Sequence, residues 1–101
     1  MGRDILQFVN SISEENINKI FNDYDQGRYQ QILNSPHKIL LLQQKRNILI
    51  TYIEYFTSKQ DNEDERTIVL TKIVTERNIQ QLIYHITNDQ FYQEPLYRFI
   101  V

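Results

Sequence analysis

The sequence predicts an all-α fold, a small bundle of four to five helices around one long central helix. Three observations carry that prediction. The stretch Ser35 to Lys59 (SPHKILLLQQKRNILITYIEYFTSK) opens with a serine able to cap orphan N–H groups and a proline at the first helical position, and no glycine, aspartate or further proline follows before Thr57. Upstream, apolar residues recur at helical spacing, first Ile5, Phe8, Val9 and Ile12, then Ile17, Ile20, Phe21 and Tyr24. Downstream, no turn signal divides the apolar run between Arg66 and Asn88.

In order, residues 3–10 form two helical turns. A bend follows near Ser11–Ser13, where Ser11 and Glu14 make a capping-box pair and Ser13 competes as the cap. The second helix closes at Asp25-Gln26-Gly27, and Arg28 to Asn34 adds a further turn or two bearing Tyr29, Ile32 and Leu33. The long helix comes next, about 24 residues and roughly 36 Å. Leu41, Leu42, Ile48, Leu49, Tyr52, Ile53, Tyr55 and Phe56 gather on one side of it, with Gln43, Arg46, Asn47, Thr51 and Glu54 on the other. Gln60 to Glu65 is an acidic connector that places carboxylates at the favourable end of the next helix.

Residues 67–74 (TIVLTKIV) carry the main ambiguity. Their β-branched content suits a strand, which makes an α+β fold with a short strand there the alternative. Read as helix, Val69, Leu70, Ile73 and Val74 face one way, and Ile68, Ile79, Leu82, Ile83 and Ile86 face nearly opposite. The helix then either breaks near Thr75–Asn78 or is buried on two sides. Pro95 ends any helix at Glu94, and the apolar tail from Leu96 to Val101 is expected to dock on the body.

Composition narrows the function. The 101 residues contain no cysteine, which excludes disulfides, thiolate metal sites and cysteine nucleophiles and fits a reducing cytoplasm. One domain over residues 1–101 is the expectation. The longest apolar run, Ile39 to Leu42, is far too short to span a bilayer, and no signal peptide is recognisable. A net charge of −2 with acids and bases interleaved argues against a nucleic-acid partner. Alanine is absent while Ile, Asn, Gln and Tyr abound, the usage expected of an AT-rich bacterium, phage or plasmid.

Motifs for chemistry are missing. There is no G-x-S-x-G, no phosphate-cradling glycine loop and no H-E-x-x-H, so neither an enzyme nor a cofactor is predicted. Two stretches weakly resemble calcium loops. One has Arg66 where glycine is needed and Lys72 where the bidentate glutamate belongs; the other, Asn22 to Leu33, has Tyr24 and Leu33 at ligand positions. His37 and His85 are the only histidines, and they read as ordinary surface or boundary residues rather than metal ligands.

The candidate residues are therefore those of a protein interface. Ile39, Leu40 and Ile50 fall on the nominally polar side of the long helix, and with the tail residues Tyr97 and Phe99 they exceed the apolar surface one small bundle must bury. Seven tyrosines and five phenylalanines among many Gln, Asn and Arg suit recognition of a partner, since Tyr and Arg are typical interface anchors. Lys45 interrupts the apolar stripe. Its stem is expected to run along the core edge with the ammonium in water; the sharper alternative is a buried or interfacial lysine paired with an acid.

The function read from these features is non-catalytic protein binding by an inhibitor, immunity or adaptor protein. The partner is unidentified, and a homodimer is the simplest way to use the surplus apolar faces. The alternative is a small nucleic-acid-binding transcriptional regulator using Lys38, Lys45, Arg46, Lys59, Lys72 and Arg77.

Overall fold

The computed structural model describes residues 2–26, 39–58 and 65–88. They form six helices: α1 (Gly2–Ser11), α2 (Glu14–Ile20), α3 (Asn22–Asp25), α4 (Leu42–Thr57), α5 (Glu65–Glu76) and α6 (Ile79–Asn88). No strand occurs among the described residues, so the fold is all-α and residues 67–74 are helical. None of these helices is long and apolar enough to cross a membrane.

The first bend lies where the serines mark it, with a change of capping residue. Ser13, in extended geometry, accepts from the Asn16 N–H at 3.3 Å and caps α2. Ser11 is not the cap, because it still belongs to α1 and its Oγ donates to the Phe8 carbonyl at 2.6 Å. Both sides of the bend bury the expected residues: Ile5, Phe8, Val9 and Ile12, then Ile17, Ile20, Phe21 and Tyr24. At about 1.5–3 kcal/mol for each fully buried large side chain, this amphipathic pair is a major part of the core. Phe21 interrupts the second helix, dividing it into α2 and α3, although the Asp25 N–H still reaches the Phe21 carbonyl at 2.9 Å.

The central helix is shorter than predicted. Ser35 and Pro36 lie outside the described residues, and α4 starts only at Leu42, giving 16 residues in place of about 24. Leu41 is extended (φ −73°, ψ 155°). The three residues before the helix alternate as an extended chain does: Ile39 is 81 % exposed, Leu40 is buried at 7 %, and Leu41 is 69 % exposed. Core attachment of Leu40 thus competes with helix and wins. Gln44 completes the start by accepting from the Leu41 N–H at 2.8 Å, and the Lys45 N–H makes the first helical bond to the Leu41 carbonyl at 3.0 Å.

From Leu42 onward α4 presents Leu49, Tyr52, Ile53 and Phe56 to the core and packs on α1, α2 and α5. Tyr55, placed on the apolar side by sequence, is exposed. Two side chains extend the α4 contacts into hydrogen bonds. Arg46 Nη1 donates at 2.6 Å to the Val9 carbonyl in the last turn of α1, which also accepts the Ile12 N–H at 3.1 Å, and a cation there complements the helix dipole. Thr67, at the start of α5, donates at 2.8 Å to the Phe56 carbonyl near the end of α4.

The helix between residues 65 and 88 breaks once. The Asn78 N–H reaches back to Ile73 O at 3.0 Å and the Arg77 N–H to Val74 O at 3.2 Å, the paired bonds of a Schellman ending. Arg77 takes the left-handed position (φ 52°), which glycine usually fills. Asn78 then caps α6 by accepting from the Gln81 N–H at 3.1 Å. A break made this way carries no glycine or proline, which is why the sequence shows no turn signal there. On either side Leu70, Ile73 and Val74, and then Leu82 and Ile86, join the same apolar core.

Candidate functional site

The six residues assigned to an interface from sequence separate into distinct environments. Tyr97 and Phe99 lie outside the described residues. Ile39, Leu40 and Ile50 do not share a helical face, because the first two precede α4. Leu40 is core, Ile50 is half-buried against the core, and only Ile39 stands out into solvent. Its exposed companion is Leu41, assigned by sequence to the buried stripe. The alternation of exposure puts positions 39 and 41 on the same side of the chain, with Leu40 anchoring the segment from the other.

Leu41 is unusual for a second reason. It occupies the N-cap position of α4, where a serine, threonine, aspartate or asparagine would bond the orphan N–H groups, and its own side chain makes no cap hydrogen bond. Leucine there forgoes about 1 kcal/mol of helix stability relative to a capping residue. Gln44 satisfies the Leu41 N–H, which is half of a capping box. An L-x-x-Q pair is the signal in the sequence, overshadowed by the stronger Ser-Pro signal upstream.

Lys45 is buried, at 7 % exposure, and does not extend its ammonium into water. Its Nζ donates at 2.8 Å to Asp25 Oδ2 and at 3.1 Å to Asn18 Oδ1, and it lies 5.9 Å from the centre of the Phe21 ring. The pairing is asymmetric: the Lys45 side chain is 8 % exposed and that of Asp25 is 39 % exposed, so the pair spans the boundary between core and solvent. Nearby, burial pushes the Tyr24 phenol above the ordinary tyrosine range, and the Asp25 carboxylate adds to the shift. These contacts join α2, α3 and α4 into one unit.

Other basic residues named as a nucleic-acid surface are also engaged internally. Arg46 is bound to the Val9 carbonyl, and Arg77 Nη2 donates to Gln7 Oε1 at 3.2 Å. Lys72 is exposed; Lys38 and Lys59 lie outside the described residues. Lys72 borders an open groove of about 490 Å³ along α5, which Ile68, Thr71 and Thr75 also line. Thr71 and Thr75 donate their hydroxyls to the carbonyls four residues earlier, at 2.7 and 2.8 Å.

His37 is outside the described residues, while His85 is half-buried on α6. Among the described residues no three His, Asp or Glu side chains gather where they could hold a metal ion. Both calcium-like stretches extend beyond the described residues; within them, Asn22 and Tyr24 belong to α3, and Arg66 and Lys72 to α5. No protein family, no curated protein and no solved structure gives a match to the chain.

Proposed function

We propose that this chain is a non-catalytic protein-binding domain, of the inhibitor, immunity or adaptor kind, from a bacterium, phage or mobile element. The observation that carries the reading is Leu41, a leucine exposed at a helix cap beside the still more exposed Ile39. Position 41 departs from the residue that would best stabilise its own helix, and such departures concentrate where function constrains a chain. The pair is also held in place, by the core anchor of Leu40 and the Gln44 bond, so a partner would meet it with little ordering cost. Internal use of Lys45, Arg46 and Arg77 favours this reading over nucleic-acid binding.

The test uses Leu41→Asp. Aspartate is a good N-cap, so the variant is expected to unfold at the same or a higher temperature than the parent while losing the apolar surface. Immobilised parent chain should retain a discrete protein from a lysate of the encoding organism, and the variant should not. If light scattering finds a dimer that becomes monomeric in the variant, the partner is a second copy. Equal retention by both chains, or no specific retention by either, would overturn the proposal. Binding of generic duplex at physiological salt would replace it with the nucleic-acid reading.

A further inference from the structure

α5 is a helix composed largely of residues that favour strands. Of its 12 residues (ERTIVLTKIVTE), seven are β-branched, and each gives up side-chain freedom against the preceding helical turn. The Thr71 and Thr75 hydroxyls bond back to carbonyls of their own helix, a contact that mildly weakens and bends helices. Its C-terminal stop places Arg77 in the left-handed region, where a side chain is unfavourable. Helicity here comes from outside the segment, from burial of Leu70, Ile73 and Val74 against the other helices and from the Thr67 bond to the Phe56 carbonyl.

Released from those contacts, Thr67 to Val74 has the makeup of a strand that stacks on itself. It has high β-propensity, no glycine or proline, a continuous Ile68-Val69-Leu70 run and a single charge at Lys72. Charged pairs flank it, Glu65-Arg66 before and Glu76-Arg77 after. We infer that α5 is a context-dependent element: a helix while packed on α1 and α4, and a β-strand paired with the same segment of a second copy once it detaches. Chain packing is then also what keeps this segment from self-assembly.

Ile68→Glu separates the two states. Ile68 is 54 % exposed in the helix, so a charge is tolerated there, and glutamate four residues before Lys72 supports a helix. In a strand the same change puts a charge inside the apolar run. The full-length chain, with ¹³C-carbonyl labels at Val69 and Leu70, is held in denaturant at partial opening and followed by infrared spectroscopy and thioflavin fluorescence. Hydrogen exchange matches the open fraction between variants. The parent is expected to assemble with its labelled carbonyls in the intermolecular β band, and Ile68→Glu to slow assembly about ten-fold or more at equal opening.

Thr75→Ala raises helix propensity outside the strand and should leave the matched rate unchanged. The inference is overturned if the parent stays monomeric when α5 is open, if assembly leaves the labelled carbonyls outside the β band, or if Ile68→Glu assembles at the parental rate. A Thr75→Ala effect equal to that of Ile68→Glu would overturn it as well, since helix stability would then be the cause.

Discussion

Lys45 and Ile39 are near neighbours in the chain, yet the ammonium is inside and the isoleucine is 81 % exposed. Backbone register decides both. Lys45 lies on the inward side of α4, in line with Leu49 and Tyr52, and a carboxylate and an amide oxygen from α2 and α3 make that position tolerable. Ile39 lies on the outward side of an extended segment whose inward side is occupied by Leu40. The buried charge has its explanation within the molecule. The exposed aliphatic pair, Ile39 and Leu41, has none among the described residues, which makes that end of α4, and not the lysine, the candidate for binding.

The sharpest way to break this contrast is Asp25→Ala. Removing the carboxylate leaves the Lys45 ammonium buried with Asn18 alone of the two partners, and urea unfolding should show a loss of about 2–4 kcal/mol, reduced from the fully buried case because Asp25 faces solvent in part. Adding Lys45→Met should recover most of that loss, and Lys45→Met alone should cost less than about 1.5 kcal/mol. If the double variant is as unstable as Asp25→Ala, the lysine is not the source of the effect. At the other end, Leu40→Ala should cost about 2–3 kcal/mol and Ile39→Ser less than about 0.5 kcal/mol, a difference that chemical denaturation resolves. Similar costs at both positions would mean the extended alternation is misassigned.

Smaller effects test the same point, that local residue preference yields to packing. Arg77→Gly should stabilise by about 1 kcal/mol through relief at the left-handed position, less any contribution of the exposed bond to Gln7, and a thermal melt would show a rise of a few degrees. The least effect is confined to alkaline solution. The Tyr24 pKa is raised in the folded chain, so its contribution is fully present below the unfolded tyrosine value, about 10, and is lost as pH rises through the folded one. Tyr24→Phe should flatten that part of the stability profile without changing its slope near neutrality.

These contrasts also show what the residues revealed before the structure. α1 and α2 were legible because Ile5 to Ile12 and Ile17 to Tyr24 repeat at helical spacing, a local pattern that marks the inward face whichever helices pack on it. That Lys45 faces inward was legible from its place between apolar residues. Its burial beside an acid stood only as the alternative, because Asp25 and Asn18 come from other helices and no spacing rule links them. The start of α4 was misplaced because Ser35-Pro36 is a strong local signal, whereas attachment of Leu40 to the core is a tertiary event. Likewise, α5 was ambiguous for a physical reason: its residues prefer one state and its surroundings impose another. Of the candidate residues, Ile39 proved to be exposed and Leu40 to be core, and Leu41 was missed because its one local mark, Gln44 three residues on, is weaker than the Ser35-Pro36 signal upstream.

The Lys45 contacts also bear on time. Asn18, Asp25 and Lys45 belong to three helices, and the ammonium loses its water favourably only when both partners are already in position. Such a set is expected to close late, after the helices have met. Changes to it should therefore appear in the unfolding limb of a chevron plot and leave the folding limb nearly unmoved. The buried lysine would then govern how long the native state lasts once reached, and have little part in how quickly it is reached.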